Sequence, residues 1–173
     1  MAAAQPSILF LEALPIIAGG QRTLLDLIPA LRDYKLHALL PGPGPLSLEL
    51  QRLGVECRFV HMADYTLVQK SRADLIRFPV DQVGPTYTCR RIIQSQRIDL
   101  IYANSSRTFV WGGLAAALSR RPAIWHLHNV ISDATTRALL SWTGSISAVH
   151  RIIAASQSAA NEFSSLAHKT VVV

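Results

Sequence analysis

Residues 99–130, DLIYANSSRTFVWGGLAAALSRRPAIWHLHNV, decide the fold. DLIYANS (99–105) is an apolar run that ends in small polar residues. RTFVWGGLAAALSRR (107–121) reads as a helix, and PAIWHLHNV (122–130) is a second apolar run, bounded by proline. Strands that are apolar throughout and alternate with helices indicate a parallel sheet covered on both faces. The second run also poses a chemical question. A buried strand does not need imidazoles at its exit, yet His126, His128 and Asn129 stand there.

The same alternation extends in both directions. Before this unit, SILFLEAL (7–14), KLHALLPG (35–42) and ECRFVHM (56–62) read as strands. TLLDLIPALRDY (23–34) has helical spacing with Thr23 as its N-cap, and LSLELQRLGV (46–55) is a short helix closed by Gly54. PTYTCRRIIQSQR (85–97) is a helix, whereas residues 63–84 show no clear pattern. After the unit come a helix over 134–148, a strand over 150–156, a helix over 158–166 and a final strand KTVVV (169–173). The expected fold is α/β: a doubly wound, mostly parallel sheet of about seven strands with helices on both faces, forming one domain over 1–173.

Composition narrows the class. Half of the 173 residues are apolar and 16% are charged, which suits a globular domain with a real core. The net charge of +6 suggests anionic partners, against the plainer reading of a soluble basic surface. Cys57 and Cys89 are too few and too far apart for a disulfide framework or metal knuckle, and read as packing residues in a reducing compartment. SILFLEALPIIAGG lacks a preceding basic region, and Glu12 and Pro15 interrupt it, so it is not a signal sequence. No stretch approaches the roughly 20 apolar residues of a membrane span. The expected location is cytoplasmic.

In doubly wound sheets the ligand sits outside the carboxyl ends of the strands. The polar and flexible residues gather there: Gly19 and Gly20 after the first strand, Asn104 and Ser105 after the fourth, His128 and Asn129 after the fifth, Ser156 after the sixth. A glycine pair lets a phosphate or sugar approach backbone N–H groups at the positive end of a helix dipole; the plainer reading is a tight turn. G-x-G-x-x-G is absent and no acidic residue ends the second strand, which disfavours a dehydrogenase. TGSIS does not form G-x-S-x-G, which removes serine hydrolase chemistry. Phosphoacceptor chemistry lacks its acidic pair at the end of the first strand.

His126 and His128, two apart on a strand, share a face. They are half of a metal site at most, with only Asp133 in reach of a loop. The alternative is a neutral imidazole that bonds substrate hydroxyls or moves a proton. For His126 the expectation is plainer: a strand-end ring satisfied by solvent.

The order of elements resembles the N-terminal domain of the GT-B glycosyltransferases of family 4 (group 1), retaining enzymes that use nucleotide-sugar donors. AGGQRTLLDLIPAL, DLIYANSSRTFVWGGLAAAL with RPAIWHLHNV, and HRIIAASQSAANEF are similar to three family landmarks in the right order, across residues 7–173. The resemblance implies that Gly19 and Gly20 face the donor phosphates and the reacting sugar. It places His128 on the active-site histidine and Ser156 on the strand-end serine. Asn104 stands where many relatives carry a histidine.

It also implies a donor-binding C-terminal domain, with an E-x7-E motif, that would begin just beyond Val173. On that reading the chain is the front half of an enzyme, inactive alone. It binds a saccharide or lipid-linked acceptor for polysaccharide biosynthesis and needs no cofactor and no protein-held metal. Arg22 and Arg107, at predicted helix starts, are candidate anion contacts, or else ordinary surface arginines.

KSRADLIRFPVDQV (70–83) combines Lys70, Arg72 and Arg77 with Leu75, Ile76, Phe78 and Val80. That pattern suits a peripheral contact with an anionic membrane, at the inner face of the plasma membrane, and equally an ordinary packed segment. The alternative function is a non-catalytic nucleotide- or sugar-binding α/β module. A nucleic-acid-binding domain is disfavoured, since aromatics are 7% and no recognition motif is present.

Overall fold

The computed structural model describes residues 5–62 and 72–173, and for 72–77 the backbone alone. Seven strands form one sheet: β1 (Ser7–Leu11), β2 (Lys35–Leu40), β3 (Glu56–Phe59), β4 (Leu100–Ala103), β5 (Ala123–Leu127), β6 (Val149–Ala154) and β7 (Thr170–Val172). Their order is β3-β2-β1-β4-β5-β6-β7, and all six pairings are parallel. The α/β expectation holds.

Topology decides where the helices lie. The chain steps one way from β1 to β3, then crosses back over β1 to β4 and steps the other way. Because crossovers are right-handed, the two directions put their helices on opposite faces. α1 (Gly19–Leu27) and α2 (Pro45–Arg52) cover one face, with Leu24, Ile28, Leu46 and Leu50 packed on Ile8, Phe10, Ala38 and Leu40. α3 (Arg72–Ser95), α4 (Phe109–Ser119), α5 (Ala134–Ser145) and α6 (Gln157–Asn161) lie on the other face, over Leu9, Leu11, Ile101, Trp125 and Ile152. There Phe109 stacks flat on Trp125 at 4.4 Å, worth about 1 kcal/mol beyond the area it buries.

Several element ends differ from the sequence reading. α1 begins at Gly19 with Ala18 as N-cap, not at Thr23, because the Gln21 side chain reaches back to accept from the Ala18 N–H at 3.1 Å. Thr23 lies inside the helix and donates its hydroxyl to Gly19 O. At Pro29, which has no N–H for the ladder, the chain turns into a short 3-10 segment, Ile28–Leu31. α3 starts at Arg72, not at Pro85, and runs through both Pro79 and Pro85. Its apolar side packs on α4, and this tertiary burial overrides two local helix breakers. Lys70 and Ser71 lie outside the described residues, as do the side chains of Arg72, Leu75, Ile76 and Arg77. All seven strands end earlier than expected, β1, β4 and β5 because the chain leaves the ladder at or just before Glu12, Asn104 and His128, and β2 because Pro41 has no N–H to give it; β6 also begins one residue earlier, at Val149.

Gly54 ends α2 as expected. At φ +81° it lets Gly54 N–H bond Gln51 O and Val55 N–H bond Leu50 O, satisfying two orphan carbonyls. Cys89 is buried and Cys57 partly buried, both as free thiols, and burial pushes Cys57 up to about 11, consistent with packing roles. Among the described residues no helix is long and apolar enough to cross a membrane.

Candidate functional site

The switch point of the sheet lies between β1 and β4, and the residue that follows each strand is polar. Glu12 follows β1 and Asn104 follows β4. Register then places the rest. Phe10 pairs with Tyr102, and Tyr102 with Ile124, so Glu12, Asn104, His126 and His128 all project to the face that α1 covers. Glycine at position 20, in the first turn of α1, allows the helix to descend onto this group: a Cβ there would stand 2.8 Å from His128 Cδ2.

Glu12, Asn104, Gly20 and His128 form one hydrogen-bonded chain. Asn104 Nδ2 donates to Glu12 Oε2 at 2.8 Å and to Gly20 O at 3.0 Å. Asn104 Oδ1 lies 2.9 Å from His128 Nε2. Glu12 also accepts from the Ala13 N–H at 2.8 Å. Burial raises the pKa of this carboxyl, while the donors around it, Asn104 foremost, hold it down. Two forces therefore oppose one another at the base of the site, and desolvation is the larger.

His126 departs from expectation. It is buried and satisfied by Tyr102, whose hydroxyl lies 2.8 Å from Nδ1, not by solvent. Its ring lies 3.9 Å, centroid to centroid, from that of His128. Burial and then the neighbouring His128 push His126 down to about 4. Burial lowers His128 as well. Both rings are therefore neutral near pH 7, with His126 supporting His128 from beneath. Burial also pushes the Tyr102 hydroxyl up to about 12, which keeps it a proton-bearing partner.

Of the residues singled out in the sequence, Gly20, Asn104 and His128 come together. Gly19 is exposed beside them, with nothing within 4 Å of where a Cβ would be. Arg22 and Arg107 are exposed on the same edge, Arg22 within α1 and Arg107 in the 3-10 turn before α4, not at the starts of α-helices. Ser105 accepts, through its carbonyl, from the Thr108 N–H and hydroxyl. Ser156 caps α6 by accepting from the Ala159 N–H at 3.2 Å, and Asn129 is exposed.

Sequence reading missed Glu12 and Tyr102. Glu12 had a signal: a lone carboxylate at the exit of an apolar strand. Tyr102 had none without the register. Among the described residues no group of three His, Cys, Asp or Glu side chains is placed to hold a metal.

The family profile of Glycosyltransferase Family 4 matches residues 17–173. Among solved structures, Anabaena Alr3699/HepE in complex with UDP and glucose aligns with a TM-score of 0.74 at 23% identity, over 97% of this chain and 44% of that one. A glycosyltransferase from Rickettsia africae aligns at 0.67 and 16% identity, over 99% and 43% of the two chains. MurG of Acinetobacter baumannii aligns at 0.64 and 18% identity, over 97% and 45%. Such identities show a shared fold, and this chain spans less than half the length of each structure. A search of curated proteins returned no match.

Proposed function

The chain belongs to glycosyltransferase family 4, and on that premise we propose that it is the N-terminal, acceptor-side domain of a retaining enzyme that uses a nucleotide-sugar donor. The observation that carries this is the convergence of Gly20, Asn104 and His128 at the switch point, where doubly wound sheets bind ligands. The HepE structures contain UDP and UDP-glucose, which supports a UDP-sugar as donor.

In this proposal the N-terminus of α1 faces the donor. Its first turn holds no acidic residue, so the helix dipole is left for an anionic phosphate, and the open space at Gly19 gives that group room to approach. Arg22 and Arg107 add positive charge along the same edge. His128, neutral and half-buried, contacts the reacting sugar. Ser105, Asn129 and Ser156 line the acceptor side of the cleft, and Asn104, buried behind them, holds His128. A second domain supplies the nucleotide pocket and most of the charge stabilisation for the leaving diphosphate. The acceptor is a saccharide or lipid-linked saccharide, positioned beneath the donor sugar.

Peripheral membrane contact is part of the proposal and rests on α3. Val80, Val83 and Tyr87 recur at helical spacing and are 70%, 64% and 59% exposed, with the Arg91 guanidinium over the Tyr87 ring. An apolar stripe edged by a cation suits an anionic bilayer surface. Sedimentation with anionic vesicles, compared with a chain carrying Val80→Asp and Val83→Asp, tests it.

The main test uses the full-length enzyme with UDP-sugars and reads the anomeric configuration of the product. Retention is expected, and inversion would sink the mechanism. Residues 1–173 alone are expected to fold but to transfer nothing; turnover, or micromolar donor binding by this part alone, would contradict the two-domain reading.

A further inference from the structure

The Asn104 amide has one orientation available to it. Nδ2 has two hydrogens, and both are used, one on Glu12 Oε2 and one on Gly20 O. Turning the amide over would set its oxygen against the Glu12 carboxylate oxygen and the Gly20 carbonyl oxygen at hydrogen-bond distance, and Glu12, 1% exposed, could not turn to water. Oδ1 is therefore held toward His128 Nε2 at 2.9 Å. An amide oxygen only accepts, so that nitrogen must carry the proton. In the neutral ring the lone pair is then on Nδ1, for which the described residues offer no hydrogen-bond donor.

We propose that Glu12 and Asn104 are positioning residues that lock His128 in its Nε2–H tautomer, making its free nitrogen a hydrogen-bond acceptor for a substrate hydroxyl and not a donor to phosphate. Gly20 contributes twice: its carbonyl is the second acceptor for Asn104, and its missing side chain lets the ring lie where Oδ1 can reach it. Glu12 acts through Asn104 and never touches the ring. The lock works as a matter of hydrogen-bond polarity, set by the Glu12 carboxylate and the Gly20 carbonyl, which accept from Nδ2 and so leave Oδ1 to face the ring. The division of labour follows. A phosphate is served by the N–H groups of α1, and a hydroxyl by His128.

The tautomer does not depend on the proposed function; only its use on a sugar hydroxyl rests on that reading. The experiment is long-range proton–nitrogen correlation NMR on the nitrogen-15-labelled chain, with His128→Gln assigning the ring. The wild-type ring is expected as a single Nε2–H species. Asn104→Leu, equal in size but without the oxygen, should give a mixture of tautomers. A wild-type ring in the Nδ1–H form, or an unchanged Nε2–H ring in the leucine variant, overturns the proposal. If the leucine variant fails to fold by circular dichroism, Asn104→Ala replaces it, and the wild-type spectrum still decides the first point. In the full-length enzyme Asn104→Leu should lower kcat about tenfold or more while the KM for donor moves less. A tautomer that shifts with turnover unchanged supports the lock and sinks the sugar-contact reading. Turnover that falls with the tautomer unmoved does the reverse.

Discussion

Gly20 and His128 are in contact across the switch point, so close that a methyl group at position 20 would lie 2.8 Å from the ring at Cδ2 and 3.2 Å from Nε2. Gly19, its neighbour, has no atom within 4 Å of the same place. Two glycines adjacent in sequence thus serve different ends, one admitting the imidazole and the other leaving open space.

That difference predicts different outcomes for the same substitution. Alanine favours helix over glycine by about 0.5–1 kcal/mol where it fits. Gly19→Ala should therefore hold or raise the melting temperature, while lowering transfer in the full-length enzyme because the methyl group crowds the donor. Gly20→Ala should lower both, since the ring must leave Asn104 to make room. Thermal melts beside initial rates separate the cases. A Gly19→Ala enzyme with unchanged turnover would remove position 19 from the donor site.

Stability should fall on acidification. Burial lowers His37, His126 and His128, with His126 near 4. The unfolded chain titrates its histidines near 6.5. Between those values the unfolded state takes up protons that the folded state refuses, so stability is full above 6.5 and is lost as pH falls toward 4. Glu12 opposes this, because its pKa is raised and folding then favours the protonated form on the acid side. His126→Gln should flatten the profile, removing on the order of 2 kcal/mol of pH dependence. Denaturant midpoints across the range check it, and an unchanged slope would mean that His126 protonates freely in the fold.

Two helix exits are built against preference. Arg97 and Arg120 sit at φ +54° and +52°, the left-handed position that Gly54 fills without cost after α2. Both side chains are exposed. Arg120→Gly should raise stability by about 0.5–1 kcal/mol, since glycine meets no Cβ penalty there. A drop in melting temperature would show that the arginine side chain holds the turn.

The fold was legible because its signal is carried by long apolar strands alternating with helices, and by polar residues gathered at one sheet edge. The parity of His126 and His128 could be read directly, as both lie at even spacing on one strand. Their different fates could not. His126 is fixed by Tyr102, and His128 by Asn104, each 24 residues away on β4 or its exit, and only the β4–β5 register reveals which pairs meet. Glu12 looked like an interruption of an apolar run; its meaning depends on Asn104, 92 residues on. The start of α1 was misread because Thr23 is a good capping residue in isolation, whereas Gln21 closes the turn earlier. The helix through Pro79 and Pro85 was hidden because its support is packing against α4 rather than local propensity.

His126 and His128 give the sharpest contrast between support and chemistry. His128 is half-buried at the mouth of the site, so removing its side chain opens the space above Asn104 Oδ1 to water. His128→Ala in the full-length enzyme should lower kcat by roughly 10² or more, with little change in melting temperature. His126 lies one step deeper, 6% exposed, with Tyr102 on one side and the His128 ring on the other. Removing it leaves a cavity and an unpaired buried hydroxyl, a loss of about 2–3 kcal/mol, so His126→Ala should melt markedly earlier. Its activity at low temperature should fall less than that of the His128 variant, since the reacting sugar would still meet an intact ring held by Asn104. The two variants are compared by melts and by kcat measured well below both transitions. If His128→Ala keeps near-normal turnover, or loses stability as His126→Ala does, the ring at 128 is part of the core and the chemistry lies elsewhere on the sheet edge.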